Sequence, residues 1–358
     1  MRFVFLFTAL SGSLCAQTIQ LSGTVLDKET EMPISFVHIF TKDTKTGTVS
    51  ATDGKFSLHI PATMINTYLY FSTVDYEIDS LLISRTNVSS TIYLTPRIYA
   101  LNEIYVIPDS TLLTLLRRAY TTIPDNYPDQ PTRYVGFFQE STSDENGNLS
   151  KLVEAELVVY KEPYNRIREA PGQIEILKSR IKQLQSSNIG FVGGAFMPVT
   201  LDIVLQRNNY IQPQNMANYQ YDFIEIKSWE GRDCYSIQFR PVSRDSANIT
   251  GTILIDKETH AYTLFELFLE RPENAHAILG IMKPVEQKSK IVYEQLDGKW
   301  YLKSVSTRSK HDNRRLKSPL FSSFDYITTQ VQTDSVTPIT SPHRFKQIQS
   351  RRFQFQTD

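Results

Sequence analysis

The sequence predicts a mainly β chain of two domains: a β-sandwich, then an α+β domain with a large antiparallel sheet and one packed helix. Its 358 residues suffice for two domains of roughly 150 residues each. Residues 19–94 alternate short apolar strands with turn residues, which is typical of a sandwich. Residues 112–123 carry one helical apolar face, and longer strand patterns follow from 133 to 332.

These patterns divide the chain into five segments. The folded domains are 18–95 and 109–332, and a linker at 96–108 joins them. Residues 1–16 are predicted to be a signal peptide. Residues 333–358 form a polar, then basic tail, which is either a last edge strand or a frayed end.

The first residues have the pattern of a secretory leader. A positive charge precedes an apolar run from Phe3 to Leu10, and a cleavage position lies before Gln17. Because the large Leu14 stands before Cys15, where lipidation requires a small residue, we expect an unlipidated mature chain that begins at Gln17. No later stretch is long and apolar enough for a transmembrane span. We therefore expect an exported protein that is periplasmic, associated with the outer membrane, or secreted.

The charge balance argues against one class of partner. The chain has 38 Lys and Arg against 38 Asp and Glu, a formal net charge of +0. Nucleic acids and anionic membranes attract proteins through a basic excess. We therefore expect no nucleic-acid partner, although a local basic patch stays open. Cys234 has no disulfide partner once the leader has gone, so core burial must hold the exported fold together.

Strands with one apolar and one polar face make up the first domain. Phe56 and Leu58 alternate with polar residues, and Leu69 and Phe71 lie between more polar neighbours in the same way. Gly54 follows an aspartate in a strong hairpin signal, because glycine accepts positive φ without steric cost. We expect the four apolar side chains to lie inside the sandwich.

The first domain contains the strings Ser22-Gly23-Thr24-Val25, Asp27, Met32-Pro33-Ile34, Gly47-Thr48 and the run from Thr52 to Leu58. With these strings it resembles a known family, the carboxypeptidase regulatory-like domain. The resemblance implies a transthyretin-like sandwich, common in exported proteins of Bacteroidota. It also implies a structural or binding module rather than a peptidase, because this domain carries no catalytic residues itself.

One helix opens the second domain. Asp109 or Ser110 can cap its first amides, and Pro124 is predicted to end it. A further short helix is predicted from Met197 to Arg207. The strands between and after them are predicted at 133–143, 149–160, 173–181, 219–227, 234–240, 250–255, 261–270, 288–295, 300–308 and 321–332.

Two of these strands resemble a second family. The string from Thr250 to Asp256, followed by Thr263 to Leu267, is similar to a strand pair of the periplasmic lipoprotein-carrier fold. That resemblance implies a half-open sheet that wraps a helix and an apolar cavity.

The residues offer no recognisable catalytic or metal centre. None of the six histidines has a partner at ligand spacing, so we expect no metal, no cofactor and no metal-dependent hydrolysis. Cys234 lies in a strand pattern and is interpreted as a small core residue. Glu154 and Glu156 share a strand face, which is interpreted as solvated; inside a concavity they would instead bind a cation or act as acid and base.

One unusual stretch suggests a binding site. Residues 189–196 are apolar and glycine-rich without any period, so they form either a buried loop or a mobile lip over a pocket. The predicted apolar pocket combines this loop with the helix face. Its residues are Leu112, Leu115, Leu116, Ala119, Phe191, Val192 and Phe196.

The sequence therefore predicts an exported, non-enzymatic cell-envelope protein that acts in binding or assembly. Its partner would be an envelope protein, a glycan or an apolar ligand. An alternative is a periplasmic carrier of lipid or another apolar ligand, and a second is a hydrolase without a recognisable motif. A dry cavity in the second domain would favour the carrier hypothesis, and a filled core would favour the scaffold. Clustered polar groups with shifted pKa values would favour the enzyme.

Overall fold

The chain forms two compact units, Met1–Ile98 and Tyr99–Asp358. The structure is a computed structural model that describes residues 18–34, 37–41, 47–51, 53–73, 76–84, 89–96, 109–146, 148–166, 172–183, 194–243, 248–271, 284–311, 319–340 and 344–345. The predicted leader and residues 97–108 of the predicted linker lie outside these residues. Among the described residues, no helix is long and apolar enough to cross a membrane.

The first unit contains two small sheets. One has the order β4-β1-β7 and the other β3-β2-β5-β6; among the described strands, β1 and β7 run parallel and the other pairs are antiparallel. A 3₁₀ turn at Ala62–Met64 follows β4. The strands are β1 (Thr18–Asp27), β2 (His38–Thr41), β3 (Gly47–Val49), β4 (Lys55–Pro61), β5 (Tyr68–Ser72), β6 (Asp79–Leu82) and β7 (Ser89–Leu94).

Residues from both sheets form one core in the first unit. Phe56, Leu58, Leu69 and Phe71 are all buried. The rings of Phe56 and Phe71 meet edge to face with 5.6 Å between their centroids. These contacts confirm the strand faces predicted from the alternation. The predicted turn also forms, because Gly54 has a φ of 74°, which glycine adopts without steric cost.

The second unit begins with helices and continues with long strands. Its helices are α1 (Asp109–Thr121), α2 (Ile123–Asn126), α3 (Met197–Thr200) and α4 (Ile203–Gln206), with 3₁₀ turns at Asn209–Ile211 and Pro213–Asn218. Its strands are β8 (Thr132–Ser143), β9 (Leu149–Lys161), β10 (Gly172–Gln183), β11 (Tyr219–Trp229), β12 (Arg232–Pro241), β13 (Asn248–Asp256), β14 (Tyr262–Glu270), β15 (Pro284–Leu296), β16 (Lys299–His311), β17 (Leu320–Gln332) and β18 (Arg344–Phe345).

All these strands belong to one antiparallel sheet of eleven strands. Its order is β11-β12-β13-β14-β15-β16-β17-β8-β9-β10-β18. Strands β11 to β17 form a meander, and β17 then pairs with β8, so that β8 to β10 extend the same sheet. The predicted mainly β fold with a large antiparallel sheet is confirmed.

The chain crosses one face of this sheet. Strands β10 and β11 follow one another in sequence, but β11 forms one end of the strand order and β10 lies next to the other end, so the chain between them crosses the width of the sheet. We call the described part of it, residues 194–218, the cover segment. It contains α3, α4 and both 3₁₀ turns of this unit, and it shares one core with α1 and the inward-facing strand residues. We call the sheet face under this core the helix-bearing face.

Two local predictions differ from the structure. Pro124 does not end the helical stretch: α1 ends at Thr121, and Pro124 lies in the first turn of α2, where its missing N–H is not needed. The single helix predicted from Met197 to Arg207 is two helices, because the chain is extended at Asp202.

The predicted tail is partly attached to the sheet. Ile339 is buried against Val158 and Tyr160 on the face opposite the helices. The backbone N–H of Ile339 also donates to the Gln173 side chain at 2.8 Å. Strand β18 pairs with β10, so the edge-strand alternative holds for residues 344 and 345.

Candidate functional site

A buried carboxylate holds the cover segment against the sheet. Asp202 lies between α3 and α4, and its Oδ1 accepts the N–H of Leu205 at 3.1 Å as the N-cap of α4. Its Oδ2 accepts Lys161 Nζ at 2.6 Å and the Tyr164 hydroxyl at 2.5 Å. Its Oδ1 also accepts the Tyr293 hydroxyl at 2.7 Å. We call Asp202, Lys161, Tyr164 and Tyr293 the anchor.

The anchor is sealed from solvent. The side chains of Lys161 and Asp202 are 1% and 0% exposed. Burial lowers the pKa of the Lys161 ammonium, and Asp202 opposes that shift. Burial also raises the pKa of Tyr164 and of Tyr293 well above the usual range. The four groups satisfy one another's hydrogen bonds away from solvent, so the arrangement fixes the position of the cover segment on the sheet.

Aromatic rings surround the anchor. Tyr127 stacks on Tyr164 at 5.3 Å between centroids and meets Tyr293 edge to face at 5.7 Å. The Tyr127 hydroxyl donates to the Tyr262 carbonyl at 2.6 Å. Arg207 follows α4 with a φ of 51° and donates to the Tyr164 carbonyl. These contacts tie α2 and the end of α4 to the same point of the helix-bearing face.

The predicted pocket residues fall in this same core. Leu112, Leu116, Ala119 and Phe196 are buried in one cluster, and Leu115 packs against it half-buried. The structure therefore brings the helix face and Phe196 together. Phe191 and Val192 lie outside the described residues, so the apolar lip stays a prediction.

Sequence reasoning did not find the anchor. Asp202 stands before the apolar run Ile203-Val204-Leu205, which is a readable helix-start signal. Lys161 ends an apolar strand, and a charged residue at such a place is normally interpreted as the first exposed residue after the strand. Forty-one residues separate the pair, and no local pattern links two such positions.

The other predicted chemical groups lie as expected for structural roles. Cys234 is buried, and burial raises the pKa of its thiol to about 11. Glu154 accepts Arg180 Nε at 2.8 Å, and Glu156 is exposed on the same strand face. No group of three His, Cys, Asp or Glu side chains that could hold a metal ion occurs among the described residues.

Comparison with known families supports the first resemblance. The model of the CarboxypepD_reg-like domain family matches residues 21–106, which include most of the first unit. A comparison with curated proteins finds no match.

Solved structures resemble this chain only distantly. A domain from Vibrio parahaemolyticus described as an outer membrane lipoprotein-sorting protein has 9% identity and a TM-score of 0.28, over 63% of this chain and 93% of that chain. A DUF1329 family protein from Desulfovibrio piger has 11% identity and a TM-score of 0.27, over 65% and 95%. A LolA superfamily protein from Nitrosomonas europaea has 12% identity and a TM-score of 0.26, over 63% and 94%. Likeness at this level does not extend to function.

Proposed function

We propose that this protein is exported and acts in the cell envelope as a non-catalytic carrier, whose second unit takes up an apolar ligand such as an acyl chain. The ligand would bind on the helix-bearing face, in place of part of the cover segment. The observation that carries this proposal is the construction of the cover segment, which consists of short helical pieces lying on a broad apolar sheet face.

The cover segment has little stability of its own. Its four pieces contain four, four, three and six residues. Isolated helices shorter than about 12–15 residues are marginal in water, so packing on the sheet must hold these pieces in place. A ligand that supplies the same apolar contacts can compete with such a segment.

The helix-bearing face offers the surface that an apolar ligand needs. Phe265, Ile291 and Val305 stand side by side on β14, β15 and β16 and are fully buried under the core. Half-buried Leu267 and Ile249 continue this surface on β14 and β13. Non-directional apolar contact suits a flexible hydrocarbon chain, because its binding free energy scales with the area removed from water.

One sequence feature supports the location, and a second supports the non-catalytic role. The leader pattern before Gln17 is that of an exported protein. The CarboxypepD_reg-like match at residues 21–106 supports a structural or binding role for the first unit.

A disulfide that locks the cover segment to the sheet tests the proposal. A β-carbon at Gly172 would lie 2.9 Å from both γ-carbons of Val199. The β-carbons of a Gly172→Cys/Val199→Cys variant therefore lie within the roughly 4.5 Å that a disulfide tolerates. Cys234 is buried and does not compete for oxidation.

We expect the oxidised variant to bind a fluorescent fatty acid at least tenfold more weakly than the same variant after reduction. Val199→Cys under the same oxidising conditions serves as the control and should bind like the wild type, because it removes no backbone space and cannot form the disulfide. Gly172→Cys alone is not used, because its β-carbon would collide with the Val199 side chain. Undiminished binding by the oxidised variant would contradict the proposal. So would a wild-type protein that neither binds the probe nor carries lipid in native mass spectrometry.

A scaffold role is the second candidate, and one observation favours it. Leu112, Leu116, Ala119 and Phe196 are at most 3% exposed, so the predicted pocket floor is filled by the protein itself. A scaffold would keep this core closed. Its signature would be co-purification of an envelope protein, with no lipid and no probe binding.

A further inference from the structure

A groove runs across the face of the second sheet that is opposite the helices. It has a volume of about 440 Å³ and spans β13 to β16. Cavities that bind small molecules commonly measure roughly 300–1,000 Å³. The side chains that define it alternate with buried core residues, so they point away from the helix-bearing face. They are Thr252, Glu266, Phe268, Lys288, Lys290, Ser306 and Arg308. The groove is also lined by Gly251, Leu267 and Ser289, which alternate with them along the strands.

Two cations stand directly opposite each other in this groove. Lys288 on β15 pairs in register with Arg308 on β16. Like charges in directly opposed positions of a sheet are destabilising. Within the described part of the chain, Lys288 has no ion pair, whereas Lys290 is paired with Glu266 at 2.9 Å. The groove therefore holds an unneutralised positive charge next to a second cation.

The protein holds Arg308 in a fixed position. Its Nη1 donates to the carbonyls of Thr307 at 2.8 Å and Phe324 at 3.2 Å. Its Nη2 donates to Asp325 Oδ1 at 3.1 Å. A fixed guanidinium loses little freedom when it binds an anion, which favours recognition of planar or tetrahedral oxyanions.

An aromatic ring completes the groove beside the cations. Phe268 on β14 stands in register with Lys288. The row across three strands is thus one ring followed by two cations. A ligand that matches this row has an apolar or ring-shaped body on one side and a strongly anionic group on the other.

We propose that this groove binds a phosphate ester, with the phosphate between Lys288 and Arg308 and the ester body on Phe268. A phosphate monoester carries about −1.5 to −2 charges at neutral pH. Lys288 offers it an unpaired positive charge, and Arg308, which is also paired with Asp325 at 3.1 Å, places a second cation beside it. The site lies on the opposite sheet face from the proposed acyl-chain site, so either can exist without the other.

The test measures binding of phenyl phosphate to the purified protein by calorimetry. We expect Lys288→Met to weaken binding about tenfold, because methionine keeps the length of the exposed side chain but removes the ammonium group and its charge-assisted contact with the phosphate. Lys310→Met is the matched control. Lys310 lies on the same face of β16 and is paired with Glu286 at 3.6 Å, but it does not contribute to the groove.

The source of the phosphate is resolved by two further probes. Binding of glucose 6-phosphate without binding to vesicles of phosphatidylcholine and phosphatidic acid would identify a soluble ester. Binding to those vesicles alone would identify a lipid headgroup. The proposal is overturned if millimolar phenyl phosphate does not bind, or if Lys288→Met and Lys310→Met bind it equally well. The fluorescence of Trp229 and Trp300, both buried in this unit, verifies that each variant is folded.

Discussion

Removing either charge of the anchor should destabilise the second unit. Asp202 accepts from four donors, and Lys161 is only one of them. In Lys161→Met the carboxylate keeps two tyrosine hydroxyls and one backbone N–H, so we expect a loss of about 3 kcal/mol, the lower end for a broken buried pair. In Asp202→Asn the buried ammonium loses its counter-charge, and we expect about 4–5 kcal/mol.

The two effects should not add. A Lys161→Met/Asp202→Asn double variant buries no unpaired charge, so it should be more stable than Asp202→Asn alone by at least about 1 kcal/mol. Asp202→Asn should also gain stability as the pH rises from the lowered pKa of Lys161 towards the usual pKa of lysine. In that range the unfolded chain binds the Lys161 proton more tightly than the folded chain does, so the free energy of unfolding increases with pH.

Denaturation followed by tryptophan fluorescence measures these changes in the second unit alone. The chain has two tryptophans, Trp229 and Trp300, and both are buried in that unit. Arg240→Met is the control, because Arg240 is paired with Asp222 at a similar 2.9 Å but with 53% and 40% of the side chains exposed. It should change stability by less than about 1 kcal/mol. If the anchor variants behave like Arg240→Met, the anchor does not hold the cover segment.

Two further predictions concern the first unit and the pH response of the sheet. Phe56→Ala should destabilise the first unit by about 3–5 kcal/mol, because it leaves a cavity beside Phe71. The loss should appear as faster amide hydrogen exchange in β4 and β5. Unchanged exchange would show that the Phe56 ring is not part of the core. Burial raises the pKa of Asp325 from 3.8 to about 6, so the folded state holds this proton more tightly than the unfolded chain between those values. The second unit should therefore lose stability, by up to roughly 3 kcal/mol, as the pH rises from 4 to 6. Asp325→Asn should flatten that dependence in denaturation curves at pH 4 and 7, and an equally steep profile in the variant would assign it to other groups.

The elements of this fold could be predicted because their signals are local. The alternation around Phe56 gave the buried face of β4, and the apolar spacing from Leu112 to Ala119 gave the inner face of α1. A buried strand face repeats every second residue and a helix face every third or fourth, so one stretch of sequence contains the whole signal.

The arrangement of the elements could not be predicted in the same way. Nothing in β17 or β8 indicates that the end of the meander returns to pair with the first hairpin, because the pairing depends on long-range closure. The anchor could not be predicted from the sequence for a related reason. Lys161 and Asp202 are each unremarkable in their own segments, and only the crossover from β10 to β11 brings them to 2.6 Å.

The anchor has a different energetic role from the apolar contacts around it. Lys161 and Asp202 lose their hydration when the cover segment closes, and their attraction offsets that loss without adding much net stability. If the segment lifts, both charges return to water and are well solvated. The pair therefore penalises a misplaced cover segment far more than an open one. Apolar burial must supply the free energy that keeps the segment closed. Under the proposed carrier function, an acyl chain that replaces this burial competes with the main force holding the segment, while the anchor sets the position to which it returns.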